Sequence, residues 1–194
     1  MVGASGHRQG LVARYGHWVT IPIKDRQPNE AGGGLATADP AATACSGCGL
    51  VVVGGFEGCQ SIFDDESARE YGDPRYAARR RMVVDTYCLQ HPERYCVSAA
   101  SLAAHLTGLC IAMEHRGREE ELNGAVQRWL SRRPELVKPP LPVTRGPLTI
   151  AAVRDATELI DHRAAVDGWA RGTWDAYAAL HPVARAWVAP IAAR

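Results

Sequence analysis

The segment DPRYAARRRMVVDTYCLQHP, Asp73 to Pro92, opens on Asp-Pro and closes on His-Pro. Asp at a cap with Pro at the first helical position starts a helix, and Pro92 cannot continue one. Between them Tyr76, Arg80, Val83, Val84, Tyr87 and His91 follow one stripe, so the spacing predicts a helix with His91 at its inward end. Ser98 is placed to cap a second helix, in which Leu102, His105, Leu106, Leu109 and Met113 recur at spacings of three and four and His105 points inward. A third runs roughly from Arg118 to Arg132 with Leu122, Val126, Trp129 and Leu130 on one face. The proline-rich bridge RRPELVKPPLPVTRGP follows, a stretch that packing rather than hydrogen-bonded structure orders. Thr149 opens a last helical region, from Ile150 and Val153 through Leu159, Ile160, Val166, Trp169, Ala170, Thr173 and Trp174 to Tyr177. It breaks near His181-Pro182, and a short helix from Val183 to Val188 closes the chain. The fold class that follows is all-α: an antiparallel bundle of four to five helices with an N-terminal extension and a cysteine-containing knuckle loop. GLVVVGGF is the only buried-strand candidate, too little for an α/β fold.

A chain of 194 residues with 46% hydrophobic and 22% charged side chains closes one core. Residues 1–44 read as an extension and flexible connector, with a short strand at HWVTIPI and a mobile tip in NEAGGGLATADPAATA; residues 45–194 form the domain. The extension is the candidate contact for a protein partner or a second copy. Twenty-two basic residues against 21 acidic ones give a net charge of +1, which exerts no bulk pull on nucleic acid or an anionic membrane. The isolated Arg79-Arg80-Arg81 triplet reads as a solvated face, with Arg80 laying its stem along the surface. No run of about 18 apolar residues exists, and MVGASGHRQG lacks the apolar stretch of a signal peptide, so the expected location is the cytoplasm.

In that reducing compartment six cysteines point to metal ligation or buried thiols rather than disulfides. In Cys45-Ser-Gly-Cys48-Gly two thiols separated by two residues can face one ion if the backbone turns tightly, which Gly47 and Gly49 permit. A redox pair of the thioredoxin kind needs its first cysteine at a helix N-terminus, and this segment reads as preceding nothing helical. Zinc ligation is therefore preferred, with Cys59 third and His91 fourth; His105 competes for the fourth place. Three cysteines and one histidine imply a closed structural site, two of each being the alternative. Cys88, Cys96 and Cys110 read as small buried side chains, and Trp129, Trp169, Trp174 and Trp187 as core. Asp85 does not share a stripe with His91. It is placed either to orient a histidine of another helix and exchange a proton, or to pair with Arg81 four residues back, while Gln90 caps or binds a ligand. Asp85 and His105 are the catalytic candidates.

The blocks CSGCG, FEGCQSIFDDESAREYGDPRY, VDTYCLQHP, SLAAHLTGLC and VDGWARGTWDAYAALH together resemble an uncharacterised bacterial family catalogued as a domain of unknown function. The likeness spans about residues 45–188, and its motifs are Cys-x-x-Cys-Gly, Asp-x-Tyr-x-x-Gln-His-Pro and His-Leu-x-x-Leu-Cys. Cys45, Cys48, Cys59, Glu70, Tyr71, Asp85, Tyr87, Gln90, His91, Pro92, His105 and Cys110 match it. The resemblance implies a cysteine-marked helical domain and brings no activity with it. Two functions stand side by side. One is an enzyme or enzyme subunit of specialised metabolism, with a small-molecule pocket near His91 and His105. The other is a non-catalytic binding or scaffold protein with a structural zinc knuckle.

Overall fold

The computed structural model describes residues 9–14, 17–22 and 41–193, in two units divided after Asp39. In the first unit β1 (Gln9–Arg14) and β2 (His17–Pro22) form an antiparallel hairpin in register from Gln9 opposite Pro22 to Arg14 opposite His17. The strand read at HWVTIPI is thus present; the connector's expected mobile tip lies outside the described residues. The second unit is predominantly helical, and it opens with a small cysteine-bearing hairpin of β3 (Ala42–Ala44) and β4 (Val51–Val53). Ala42–Ala44, read as connector, is therefore a strand.

The largest departure follows at once. Helix α1 (Phe56–Gly72) begins two residues after β4, so the cysteine segment does lead into a helix. Its buried stripe is Cys59, Ile62, Glu66 and Glu70, spaced by three, four and four. Half of that stripe is carboxylate, which hides the apolar period a sequence reading relies on.

The helix expected from Asp73 to Pro92 forms in two pieces, α2 (Pro74–Ala77) and α3 (Arg80–Gln90). Asp73 accepts a hydrogen bond from the Arg75 amide at 2.9 Å, the cap its sequence promised. The arginine triplet that opens α3 is not a solvated face. Arg79 pairs with Asp167 of the later helix at 3.1 Å, and Arg80 lies 3.9 Å over the Tyr71 ring while donating to the Glu70 carbonyl. Arg81 donates to Asp85 at 2.7 Å. Successive helical residues point about 100° apart, so one basic run reaches three different neighbours.

After the single turn α4 (Pro92–Tyr95) comes α5 (Ala99–Glu114), opened by Ser98, whose hydroxyl accepts from the Ser101 amide while the Ser101 hydroxyl accepts from the Ser98 amide. A helix apolar on every side belongs in the middle, and α5 packs against α3 and three later helices. Those are α6 (Glu119–Ser131), α8 (Leu159–Ala176) and α9 (His181–Ala192). Leu102, Leu106 and Leu109 meet Leu122, Val126, Trp174, Tyr177 and Val188 in this core. The region from Thr149 to Tyr177 is interrupted: α7 (Ile150–Arg154) stops before α8 begins. Arg69 and the Tyr76 hydroxyl donate to the carbonyls of Ala156 and Thr157, which occupies the backbone acceptors at that break. Helix α9 outruns the expected Val183–Val188 because Pro182 sits in its first turn, where proline is compatible.

The proline-rich bridge between α6 and α7 carries no regular structure and is held by Gln90. That side chain is fully buried, donates to the carbonyls of Arg145 and Leu148 at 2.9 and 2.8 Å, and accepts from the Trp169 indole at 2.9 Å. Gln90 is thus committed inside the protein and neither caps a helix nor faces a ligand. No helix among the described residues is long and apolar enough to cross a membrane.

Candidate metal centre

The hairpin builds half of the site. Beyond the β3–β4 pairing the Cys45 amide donates to the Leu50 carbonyl at 2.7 Å and the Gly49 amide to the Cys45 carbonyl at 2.9 Å. The Cys-x-x-Cys run is thereby folded into a tight turn that turns both sulfurs the same way. Gly47 has to be glycine there, because a Cβ would stand 2.3 Å from His91 Cδ2 and 2.9 Å from the Gln90 carbonyl. Cys59 enters from the first turn of α1. His91 enters from the break between α3 and α4, where Pro92 ends the helix and leaves its side chain facing the hairpin.

The four donor atoms lie within 4.8 Å of one another. Cys48 Sγ is 3.7 Å from Cys59 Sγ, and His91 Nε2 is 3.3 Å from Cys45 Sγ and 3.5 Å from Cys59 Sγ. Around a tetrahedral zinc with Zn–S of about 2.3 Å and Zn–N of about 2.0 Å, sulfurs stand about 3.8 Å apart and sulfur and nitrogen about 3.5 Å. These three spacings have that size. His91 Nδ1–H donates to the Tyr87 carbonyl at 2.8 Å, which leaves the lone pair on Nε2, the atom that faces the sulfurs. The ring is also held by packing, 4.1 Å from the Tyr87 ring and edge-on to Phe56 at 5.6 Å. Cys45, Cys59 and His91 are buried and Cys48 half-buried. The hydrogen bond from Cys59 holds Cys48 well below the usual thiol range, and that same contact together with burial pushes Cys59 up. A cation at the centre favours the thiolate of all three cysteines.

His105 takes no part in this cluster. Its Nδ1–H donates to Asp85 Oδ1 at 2.9 Å, and Arg81 Nε donates to Asp85 Oδ2 at 2.7 Å. Asp85 is fully buried between α3 and α5, a place that exists because Gly108 has no side chain: a Cβ there would lie 2.0 Å from Asp85 Oδ2. Both sequence expectations for Asp85, orienting a histidine of another helix and pairing with Arg81, describe contacts it makes. A pocket of about 280 Å³ adjoins the cysteine–histidine cluster, lined by Ser46, Gly47, Phe56, His91, Glu93 and Arg94. His105 is not among its walls, so this pocket adjoins only one of the two histidines expected beside it.

A second buried polar group joins α1 to α8. Glu66 Oε1 accepts from His162 Nε2 at 2.5 Å, Arg69 stands 3.3 Å from Glu66 Oε2, and Glu70 is buried one turn on with neither oxygen hydrogen-bonded. Burial, aided by the Glu66 charge and opposed by Arg80, pushes the Glu70 carboxyl up to about 8. His162 was legible, since it precedes Val166 and Trp169 on the inward stripe of α8. Glu66 and Glu70 became legible only with α1. Cys88, Cys96 and Cys110 are buried free thiols, as expected, and burial pushes the last two up to about 12.

A model of a family of unknown function, DUF5946, matches residues 43–178. No curated protein and no solved structure matches the chain.

Proposed function

The chain belongs to the DUF5946 family of unknown function, and we propose that Cys45, Cys48, Cys59 and His91 hold one zinc ion as a closed structural site. The zinc fastens the β3–β4 hairpin and the first turn of α1 to the break between α3 and α4, as one corner of an antiparallel helical bundle. The observation that carries this reading is the convergence of four donor atoms within 4.8 Å, three of their separations being 3.3, 3.5 and 3.7 Å, together with a histidine tautomer already fixed for ligation. Three thiolates and an imidazole suit zinc. Because the protein supplies all four ligands, no position is left for a water to be activated, and the metal's contribution is to folding. This favours the binding or scaffold function over a metalloenzyme. The test is elemental analysis of the purified full chain beside Cys48→Ser: about one zinc per chain, lost in the variant, is expected. A metal-free protein with an unchanged melting curve on chelation overturns it.

One observation favours a catalytic reading. Asp85 takes the proton-bearing Nδ1 of His105, which leaves Nε2 as the basic atom of a ring that is 18% exposed. In that reading His105 is the base and Asp85 its orienting partner. A screen of model esters and phosphodiesters tests it: turnover that His105→Gln and Asp85→Asn both abolish, at unchanged zinc content, supports it, and turnover insensitive to both removes it.

A further inference from the structure

We infer that the knuckle is a hydroperoxide-responsive site, in which oxidation joins Cys48 to Cys59 and releases the zinc. The inference rests on the zinc reading above. It begins from an asymmetry among the three thiolates: Cys45 is 3% exposed, Cys59 is fully buried, and Cys48 is only half-buried. An oxidant arriving from solvent reaches Cys48 before either of the others. The Cys59 sulfur is in contact with it, 3.7 Å away, and is placed to take the second bond. A disulfide needs about 2.05 Å, so the two sulfurs close by about 1.7 Å. The chain at Cys48 can supply that movement, because Gly49 takes φ of +79° at the end of the turn and the space beside its Cα is open.

The chemistry balances without a further reagent. The Cys48 thiolate attacks one oxygen of the hydroperoxide, the O–O bond breaks, and the departing oxide takes a proton from solvent, leaving a sulfenic acid on Cys48. The Cys59 thiolate then attacks that sulfur, the S–S bond forms, the S–O bond breaks, and the hydroxide leaves as water after taking a second proton. Two thiolates lose two electrons in all, and the peroxide gains them. Zinc retains only Cys45 and His91, and two ligands do not hold it against water. The other three cysteines stay thiols: Cys88, Cys96 and Cys110 are buried, and burial raises each of them, so none offers a solvent-facing thiolate.

The experiment uses the zinc-loaded full chain. Zinc is first quantified, hydrogen peroxide is added in graded amounts, released zinc is followed with a chromogenic chelator, and free thiols are alkylated before mass mapping. No Lys or Arg lies between Cys45 and Cys59, so trypsin leaves the three on one peptide; cleavage after Glu57 separates Cys59 from the other two. A cross-linked pair of fragments with the bond at Cys48, appearing in step with zinc release and reversed by a dithiol reductant with zinc rebinding, is the expected result. Zinc retained through a large excess of peroxide overturns the inference while leaving the structural site intact. So does release accompanied by a Cys45–Cys48 link or by sulfinic acid. Absence of zinc before any peroxide is added instead overturns the structural reading, and this inference with it.

Discussion

Around α5 the protein is held by area: Leu102, Leu106 and Leu109 are fully buried against apolar side chains from α6, α8 and α9. At the knuckle, Val51 and Val53 of the hairpin are 67% and 51% exposed, and the inward positions are given to thiols and an imidazole. The first region is stable because many contacts each contribute a little. The second converges on four donor atoms, laid over a smaller apolar cluster in which Ile62, Val83, Tyr87 and Trp169 are buried and Leu50, Val52 and Phe56 partly so. A two-stranded hairpin of three-residue strands is marginal in water, so its order depends on what the donors bind. One molecule thus uses non-directional burial around the apolar helix α5, and at the short, open hairpin gathers donor atoms that could hold a metal.

Metal removal is the strongest way to break that contrast. Zinc-finger peptides draw roughly 10–16 kcal/mol of apparent binding energy from their metal. Chelation is therefore expected to strip amide-exchange protection from residues 42–60 while α5 keeps its own, as read by hydrogen-exchange mass spectrometry. Equal loss in both regions would mean that they are one cooperative unit. The converse change is Leu106→Ala, which leaves a cavity among α5, α6 and α9. A loss of about 2–5 kcal/mol in denaturant melts is expected, with zinc content unchanged.

Glu70 probes the ground between the two regions. Its folded-state pKa of about 8 lies above its ordinary 4.5, so the folded protein binds this proton more tightly than the unfolded chain. The stability it contributes is fully present below about pH 4.5 and is lost as pH rises through about 8. Thermal melts across that window should therefore show Glu70→Gln losing part of the wild-type decline and standing higher at pH 8, by a difference on the order of 2 kcal/mol. Parallel pH profiles would remove Glu70 as the titrating group. The smallest effect belongs to the cap of α5: Ser98→Ala is expected to cost about 1 kcal/mol, independent of pH and of metal, measured in the same melts.

Much of this was readable from local signals. Asp73, Pro74, Pro92 and Ser98 act through their own backbone neighbours, so the starts of α2 and α5 and the end of α3 were legible. The stripe of Leu102, Leu106 and Leu109 repeats at helical spacing within one element and needed no partner to be seen. Helix α1 was not legible, because Glu66 and Glu70 hold inward positions that a periodicity reading assigns to solvent. Their burial depends on His162, Arg69 and Arg80, of which His162 lies nearly a hundred residues away. The break between α7 and α8 was hidden for the same reason, since Arg69 and Tyr76 come from other elements to take its carbonyls.

The sequence by itself determined the kind of chemistry: two cysteines at knuckle spacing with glycine between them, a third within reach, and a histidine stopped by proline at a helix end. Those are local facts, settled by residue type and by backbone freedom over a few positions. Only the tertiary structure decided between His91 and His105. Both sit on inward helical stripes, but the His91 ring, oriented by the Tyr87 carbonyl, turns its free nitrogen to the thiols, while the His105 ring is drawn to Asp85. Which neighbour an inward side chain meets depends on how the elements pack, and no spacing within one helix encodes that.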